Sequence, residues 1–227
     1  MDYPLFAHIA GRLCVVIGAG AVGLRKARGL AAAGSRVRLV APSLPPGEEP
    51  LPANVERVGR FYRRGDLRGA FLAFAATDDR AVNAAVVAEA RQAGIPVNVA
   101  DSPREGDFLL PAVLRRGTLT VAVGTGGGSP LAAALVRDHL AGVLGEEWGL
   151  FVEMASRLRE RFAGAEKSLD YSGFCRRLMV QGILDCLAAG DAAAVDTLLD
   201  ELGIEGLTLA SLGIDLKKGS AGEDMSG

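Results

Sequence analysis

The sequence predicts an α/β fold: a doubly wound parallel sheet over residues 11–101, then a small connecting segment and a helical C-terminal part. Three observations carry this. Short apolar runs alternate with Ala-rich amphipathic stretches at βαβ spacing as far as residue 101. A G-x-G-x-x-G run, Gly18-Ala19-Gly20-Ala21-Val22-Gly23, separates the first apolar run from the first amphipathic stretch. From Pro130 onward the pattern is helical.

Leu13-Cys14-Val15-Val16-Ile17 ends at a glycine and reads as a buried parallel strand. Ala21–Ala33 reads as a helix closed by Gly34. Arg36–Val40 alternates charged and apolar residues, and Pro42 stops it. Residues 43–53 hold four prolines and read as a loop. Val55–Val58, Phe71–Ala76 and Pro96–Ala100 are further strands, with a helix over Asp79–Ala93 that ends at Gly94. Phe108–Leu114 and Thr118–Val123 read as strands joined at Arg115-Arg116-Gly117. Ser129 suits an N-cap and Pro130 the first helical position after the glycine-rich loop from Gly124. Helices are expected over 130–144, 147–163, 170–189 and 191–202, and a disordered tail over 217–227.

Composition narrows the function classes. With 227 residues, 49% hydrophobic and 23% charged, the chain has the make-up of a folded globular protein. Its net charge of −2 splits into +5 over residues 1–130 and −7 over the rest. That asymmetry suits an anionic small ligand. It is too weak for nucleic acid, and the basic half lacks the interleaved aromatics of single-strand binders. No apolar run reaches the roughly 18 residues of a membrane span. The N-terminus lacks the features of a signal peptide, so the cytoplasm is the expected location. Cys14, Cys175 and Cys186 are too few and scattered for a disulfide framework or a zinc site, and His8 and His139 lie far apart, so no metal site is expected.

The glycine run carries the chemistry. Gly18 permits a tight turn, Gly20 lets backbone approach a pyrophosphate, and Gly23 lets the helix pack on the sheet. Free amides and the positive end of the helix dipole then face the phosphates. The hexapeptide is weak alone, but strand–turn–helix–strand context makes it a dinucleotide fingerprint. One part is missing: the second strand ends Val40-Ala41-Pro42-Ser43, with no acid for the adenosine ribose. Spacing alone leaves NAD against NADP open.

Met1-Asp2-Tyr3-Pro4-Leu5-Phe6, the glycine run, Arg25-Lys26-Ala27-Arg28, Ala75-Ala76-Thr77-Asp78-Asp79, Val97-Asn98-Val99-Ala100-Asp101 and Gly126-Gly127-Gly128-Ser129-Pro130 occur in this order. Over residues 1–165 they resemble the precorrin-2 dehydrogenase/sirohydrochlorin ferrochelatase family, the oxidase/chelatase module of siroheme synthase. The resemblance implies a Rossmann-like NAD-binding domain over 1–112, a dimerisation and substrate segment over 113–165, and a helical C-terminal domain over 166–216. It implies NAD-dependent oxidation of precorrin-2 to sirohydrochlorin, ferrous iron insertion in some members, and a homodimer. The methylation activity of fused members belongs to a further domain, which this chain is expected to be too short to hold.

By the same resemblance, Asp101 aligns with the family's key aspartate, as a general base or an electrostatic partner of the tetrapyrrole nitrogens. A simple Asx turn before Pro103 is the competing reading. Gly18, Gly20, Ala21, Val22 and Gly23 would contact the cofactor at the turn, with Pro42 and Ser43 along its adenosine side. Thr77 and Asn98, at strand ends, could fix the nicotinamide or its ribose, whereas Asp78 and Asp79 equally suit helix capping. Thr125, Gly126 and Ser129, in a loop feeding a helix, could hold a substrate carboxylate. Arg104, with Arg25, Lys26, Arg28, Arg115 and Arg116, could pair with the substrate's eight carboxylates. Two other classes compete: a non-catalytic NAD-sensing regulatory module, which would not need Asp101, and a hydroxy- or keto-acid dehydrogenase, for which residues 131–227 offer no persuasive His or Lys.

Overall fold

The computed structural model describes residues 2–163, 170–201 and 206–216. The chain divides into two compact units between Leu110 and Pro111. The expected tail at 217–227 lies outside the described residues.

The first unit is a five-stranded, all-parallel sheet. Its strands are β1 (Leu13–Ile17), β2 (Arg36–Val40), β3 (Val55–Val58), β4 (Leu72–Ala75) and β5 (Val97–Val99). They lie in the order β3-β2-β1-β4-β5. Helix α1 (Ala21–Ala32) connects β1 to β2, and α2 (Arg80–Ala93) connects β4 to β5. Side-chain alternation gives β1 and β4 two apolar faces. Cys14, Val16, Val37, Leu39 and Phe74 pack with Leu24, Ala27 and Ala31 of α1. Val15, Ile17, Val40, Ala73 and Ala75 pack with Val86, Val87 and Ala90 of α2. The short apolar runs are therefore buried on both sides, which is why they carry no polar alternation of their own.

The second unit opens with an antiparallel hairpin, β6 (Ala112–Arg116) and β7 (Leu119–Val123). Helices α3 (Pro130–Val143), α4 (Glu146–Ala163), α5 (Tyr171–Val180), α6 (Ile183–Ala188) and α7 (Ala192–Glu201) follow. Met154 and Leu158 of α4 share one core with Phe174, Leu178, Ile183, Leu187, Val195 and Leu199. No helix among the described residues is long and apolar enough to cross a membrane.

Three element readings change. The first hairpin strand, expected from Phe108, starts at Ala112. Arg115 and Arg116 belong to β6, and the turn is Gly117-Thr118, with Gly117 at φ +53° in a two-residue hairpin loop. Such a loop favours glycine in its first position. Arg116 has a further reason to stay in the strand: its guanidinium donates to the Ala141 and Leu144 carbonyls, capping the C-terminus of α3. The expected helix over 170–189 breaks at Gly182, which takes φ +81° and separates α5 from α6. A left-handed residue cannot continue a right-handed helix.

Candidate functional site

Strand register brings the functional segments to one edge. Ile17 pairs with Val40 and Ala75, Val40 with Val58, and Ala75 with Val99. The residues that follow, Gly18, Ala41-Pro42-Ser43, Gly59, Ala76-Thr77 and Ala100-Asp101, therefore share the carboxyl edge of the sheet. The chain leaves β1 toward β2 on one side and β4 lies on the other, so this is the topological switch point where open α/β sheets bind ligands.

The glycine turn is shaped by backbone contact. Gly18 has φ +107°, and a Cβ there would stand 2.2 Å from the Ala76 carbonyl oxygen. Its amide donates to the Val40 carbonyl at 2.9 Å. A Cβ on Gly23 would stand 2.1 Å from the Gly18 carbonyl oxygen, so α1 can pack this closely only with glycine. Gly20 differs: a Cβ there meets nothing within 4 Å. Gly20 is the N-cap of α1 and no side chain caps this helix, whereas Asp79, Ser129 and Asp170 cap α2, α3 and α5. Gly20, Ala21 and Val22 are exposed. An uncapped, positive helix end with open space at its glycine fits a pyrophosphate.

Other sequence candidates have different surroundings. Asp101 is exposed just after β5, and its carboxylate has no hydrogen bond or ion pair among the described residues, so the Asx-turn role is not taken. Pro42 and Ser43 are exposed at the end of β2. Thr77 is tied down by Asn83, which is 2% exposed: Thr77 Oγ1 and N donate to Asn83 Oδ1, and Asn83 Nδ2 donates back to the Thr77 carbonyl. Asp79 caps α2 by accepting from the Ala81 and Val82 amides, as its capping reading expected. Asn83 was not singled out in the sequence; a lone amide among the apolar positions of a helix, close after a strand end, is its only signal.

Asn98 is the middle residue of β5 rather than a strand-end group, and is 5% exposed. Its Oδ1 accepts from Lys26 Nζ at 2.9 Å, and its Nδ2 donates to the Phe108 carbonyl. Its side chain thus ties α1 to β5 and to the segment that follows, using one of its two N–H donors and one lone pair of its carbonyl oxygen. Lys26 Nζ also lies 5.7 Å from the Phe74 ring centroid. Burial, and then repulsion from Arg25, lowers the Lys26 pKa from 10.5 to about 8.

The candidate cations separate in the same way. Arg28 pairs with Glu48, and Arg116 caps α3. Arg104 is exposed in the 3₁₀ turn Pro103–Glu105 that follows Asp101, and Arg25 is exposed on α1. In the second unit, Thr125 Oγ1 donates to the Ser129 carbonyl and accepts from the Ser129 amide, while Ser129 Oγ accepts from the Ala132 amide. Gly126 and Gly127 both take positive φ. These bonds close the loop on itself and leave the backbone of Gly126 and Gly127 exposed. No group of three or more His, Cys, Asp or Glu among the described residues could hold a metal ion.

The sheet order and the uncapped glycine turn are those of a dinucleotide-binding domain. Residues 5–112 match the family described as putative NAD(P)-binding. The siroheme synthase of Pseudomonas paraeruginosa is 39% identical over 220 residues, 94% of this chain and 47% of its own length. Siroheme synthase 2 of Aeromonas hydrophila is 39% identical over 162 residues, 71% of this chain and 34% of its own. Among solved structures, one titled SirC, precorrin-2 dehydrogenase superposes with a TM-score of 0.69 at 21% identity, covering 88% of this chain and 98% of that one. The chain is a homologue of the siroheme synthases, and it spans about half the length of the curated relatives it matches.

Two outcomes follow from this geometry. Gly20→Ala keeps the fold, at a cost of at most about 1 kcal/mol for the changed N-cap, but weakens dinucleotide binding in calorimetric titration. Gly23→Ala forces backbone apart and lowers the melting temperature sharply. Equal melting temperatures for the two variants would contradict this division. For Lys26, the folded value lies below the ordinary one, so the fold disfavours the charged form. Native stability relative to a Lys26→Met variant therefore rises as pH increases from about 8 toward the ordinary lysine range. Urea unfolding of both proteins at about pH 7 and about pH 9.5 reads this directly, and an unfolding free energy of wild type minus variant that falls at the higher pH would contradict it.

Proposed function

We propose that this chain oxidises precorrin-2 to sirohydrochlorin in siroheme synthesis, using NAD held at the glycine turn. The observation that carries the reading is the identity of 39% to a siroheme synthase over 94% of this chain. The structural neighbour titled a precorrin-2 dehydrogenase shares its fold. NAD, when bound, accepts a hydride. The chain's own groups do the rest. Gly20 leaves room for the pyrophosphate against the amides of Ala21, Val22 and Gly23, and Pro42 and Ser43 flank the adenosine. The macrocycle loses a hydride and a proton, and Asp101, whose carboxylate carries no competing bond, receives the proton at its carboxylate oxygen. Arg104, close after Asp101, is assigned to the substrate's carboxylates.

Ferrous iron insertion is a second activity of the same edge. The macrocycle must then lose two N–H protons; Asp101 accepts one and solvent water takes the other. Iron here is a substrate. Anaerobic precorrin-2 with NAD is expected to give the sirohydrochlorin spectrum together with NADH, and added ferrous iron then gives the siroheme spectrum. Asp101→Asn lowers turnover by about a hundredfold or more while NAD affinity stays within about twofold. A folded, NAD-binding protein with no turnover would favour the regulatory module instead.

The chain is further proposed to act in the cytoplasm as a homodimer. Leu131, Leu135, Val136 and Val143 of α3 are between 46% and 70% exposed, an apolar helix face that a second copy would cover. Light scattering is expected to read twice the 23.5 kDa chain mass. A monomer would remove this assignment.

A further inference from the structure

The adenosine end of the site lacks an acid and holds an arginine. In the dinucleotide fingerprint, an acid at the end of the second strand binds the ribose hydroxyls and repels a 2′-phosphate. Here β2 runs out into Ala41-Pro42-Ser43. The connection from β2 to β3 contains no helix, so β3 lies directly beside β2, with Leu39 opposite Arg57 and Val40 opposite Val58. Arg57 is thus one residue short of the carboxyl edge. Its Nη2 donates to the Pro42 carbonyl at 3.2 Å. A residue 15 positions further along the chain is brought to the place where the acid is missing.

The charges around Arg57 are already assigned elsewhere. Glu48 and Glu49 pair with Arg28, and Glu56 pairs with Arg38. Arg57 is exposed and has no ion pair among the described residues. One bond to a carbonyl leaves four of its five N–H donors free. Gly59, the residue after β3, adds no side chain on that side; a Cβ there would come within 3.7 Å of Nη2. Ser43 adds a hydroxyl at the same strand end. A guanidinium without an ion pair, bonded to the carbonyl of the residue before Ser43, is the donor type that a phosphate monoester takes.

We propose that Arg57 and Ser43 form a 2′-phosphate subsite, so that the domain binds NADP as well as NAD. The inference rests on the cofactor reading above. It extends that reading from the shared dinucleotide to the group that distinguishes the two forms.

Calorimetric titration of the full chain with NAD and with NADP, separately and without substrate, tests it. The wild type is expected to bind both, with NADP within about tenfold of NAD. Arg57→Ala then weakens NADP by about tenfold or more and NAD by less than about twofold. Arg57→Lys, which keeps the charge without the fork, falls between the two. Matching far-UV circular dichroism shows that the variants are folded. NAD binding with NADP more than about tenfold weaker would overturn the subsite. So would an equal loss of both ligands in Arg57→Ala and Arg57→Lys, which would make Arg57 a support for the Pro42 turn only. Failure of the wild type to bind either dinucleotide would instead overturn the cofactor reading, and the subsite with it.

Discussion

Backbone presses on backbone where β1 and β4 leave the sheet. Missing Cβ atoms at Gly18 and Gly23 let the Ala76 carbonyl, the turn and α1 occupy the same few ångströms. From that contact the rest of the edge follows. The β1 turn is held to β2 by the Gly18 amide and lies against the end of β4. Helix α1 starts close above the sheet with its first amides pointing outward, and Gly20 keeps them uncovered. A helix N-terminus carries about half a unit of positive charge. Asp79, Ser129 and Asp170 satisfy such ends at α2, α3 and α5, whereas the end of α1, at the carboxyl edge of the sheet, is left open to an external anion.

Polar groups at the edge divide into those that build it and those that remain open. Thr77 and Asn83 close the β4–α2 turn on itself. Lys26 and Asn98 link α1 to β5 beneath the surface, at the cost of holding an ammonium where it is partly desolvated. Arg28 and Arg38 answer the acids of the Pro-rich loop and β3. Among the described residues, Asp101 and Arg57 are left without ion partners at opposite ends of the edge. One is anionic, toward the β5 side, and the other cationic, toward the β3 side. A dinucleotide laid across the switch point would run between them.

Much of this was legible in the sequence because local rules and tertiary packing agree there. Leu13–Ile17 is a strand because both of its faces are covered, and Arg36–Val40 is one because its alternating Val37 and Leu39 are buried while Arg36 stays exposed. The glycine turn is readable for the same reason: its three glycines answer three different steric demands. What was not legible depends on pairing across distance. Asn98 reads as a strand-end polar group until Lys26, 72 residues earlier, is seen to occupy its carbonyl. Arg57 stands too far from Pro42 in sequence to suggest a clamp, and only parallel pairing of β2 with β3 brings it there. The Gly182 break was visible as a glycine, yet apolar spacing on both sides of it continued as one helix. The turn at Gly117-Thr118 was misplaced by two residues because Arg115 and Arg116 look like loop residues until Arg116 is seen to cap α3.

The central claim is that the bare end of α1 and the end of β5 form one ligand edge. Amide hydrogen exchange with and without NAD tests it most directly. The account predicts that NAD slows exchange across Ala19–Leu24 and at the strand ends around Ser43 and Asp101, with the apolar cores unchanged. Protection confined to the second unit, or none at Ala19–Leu24 under saturating NAD, would contradict it.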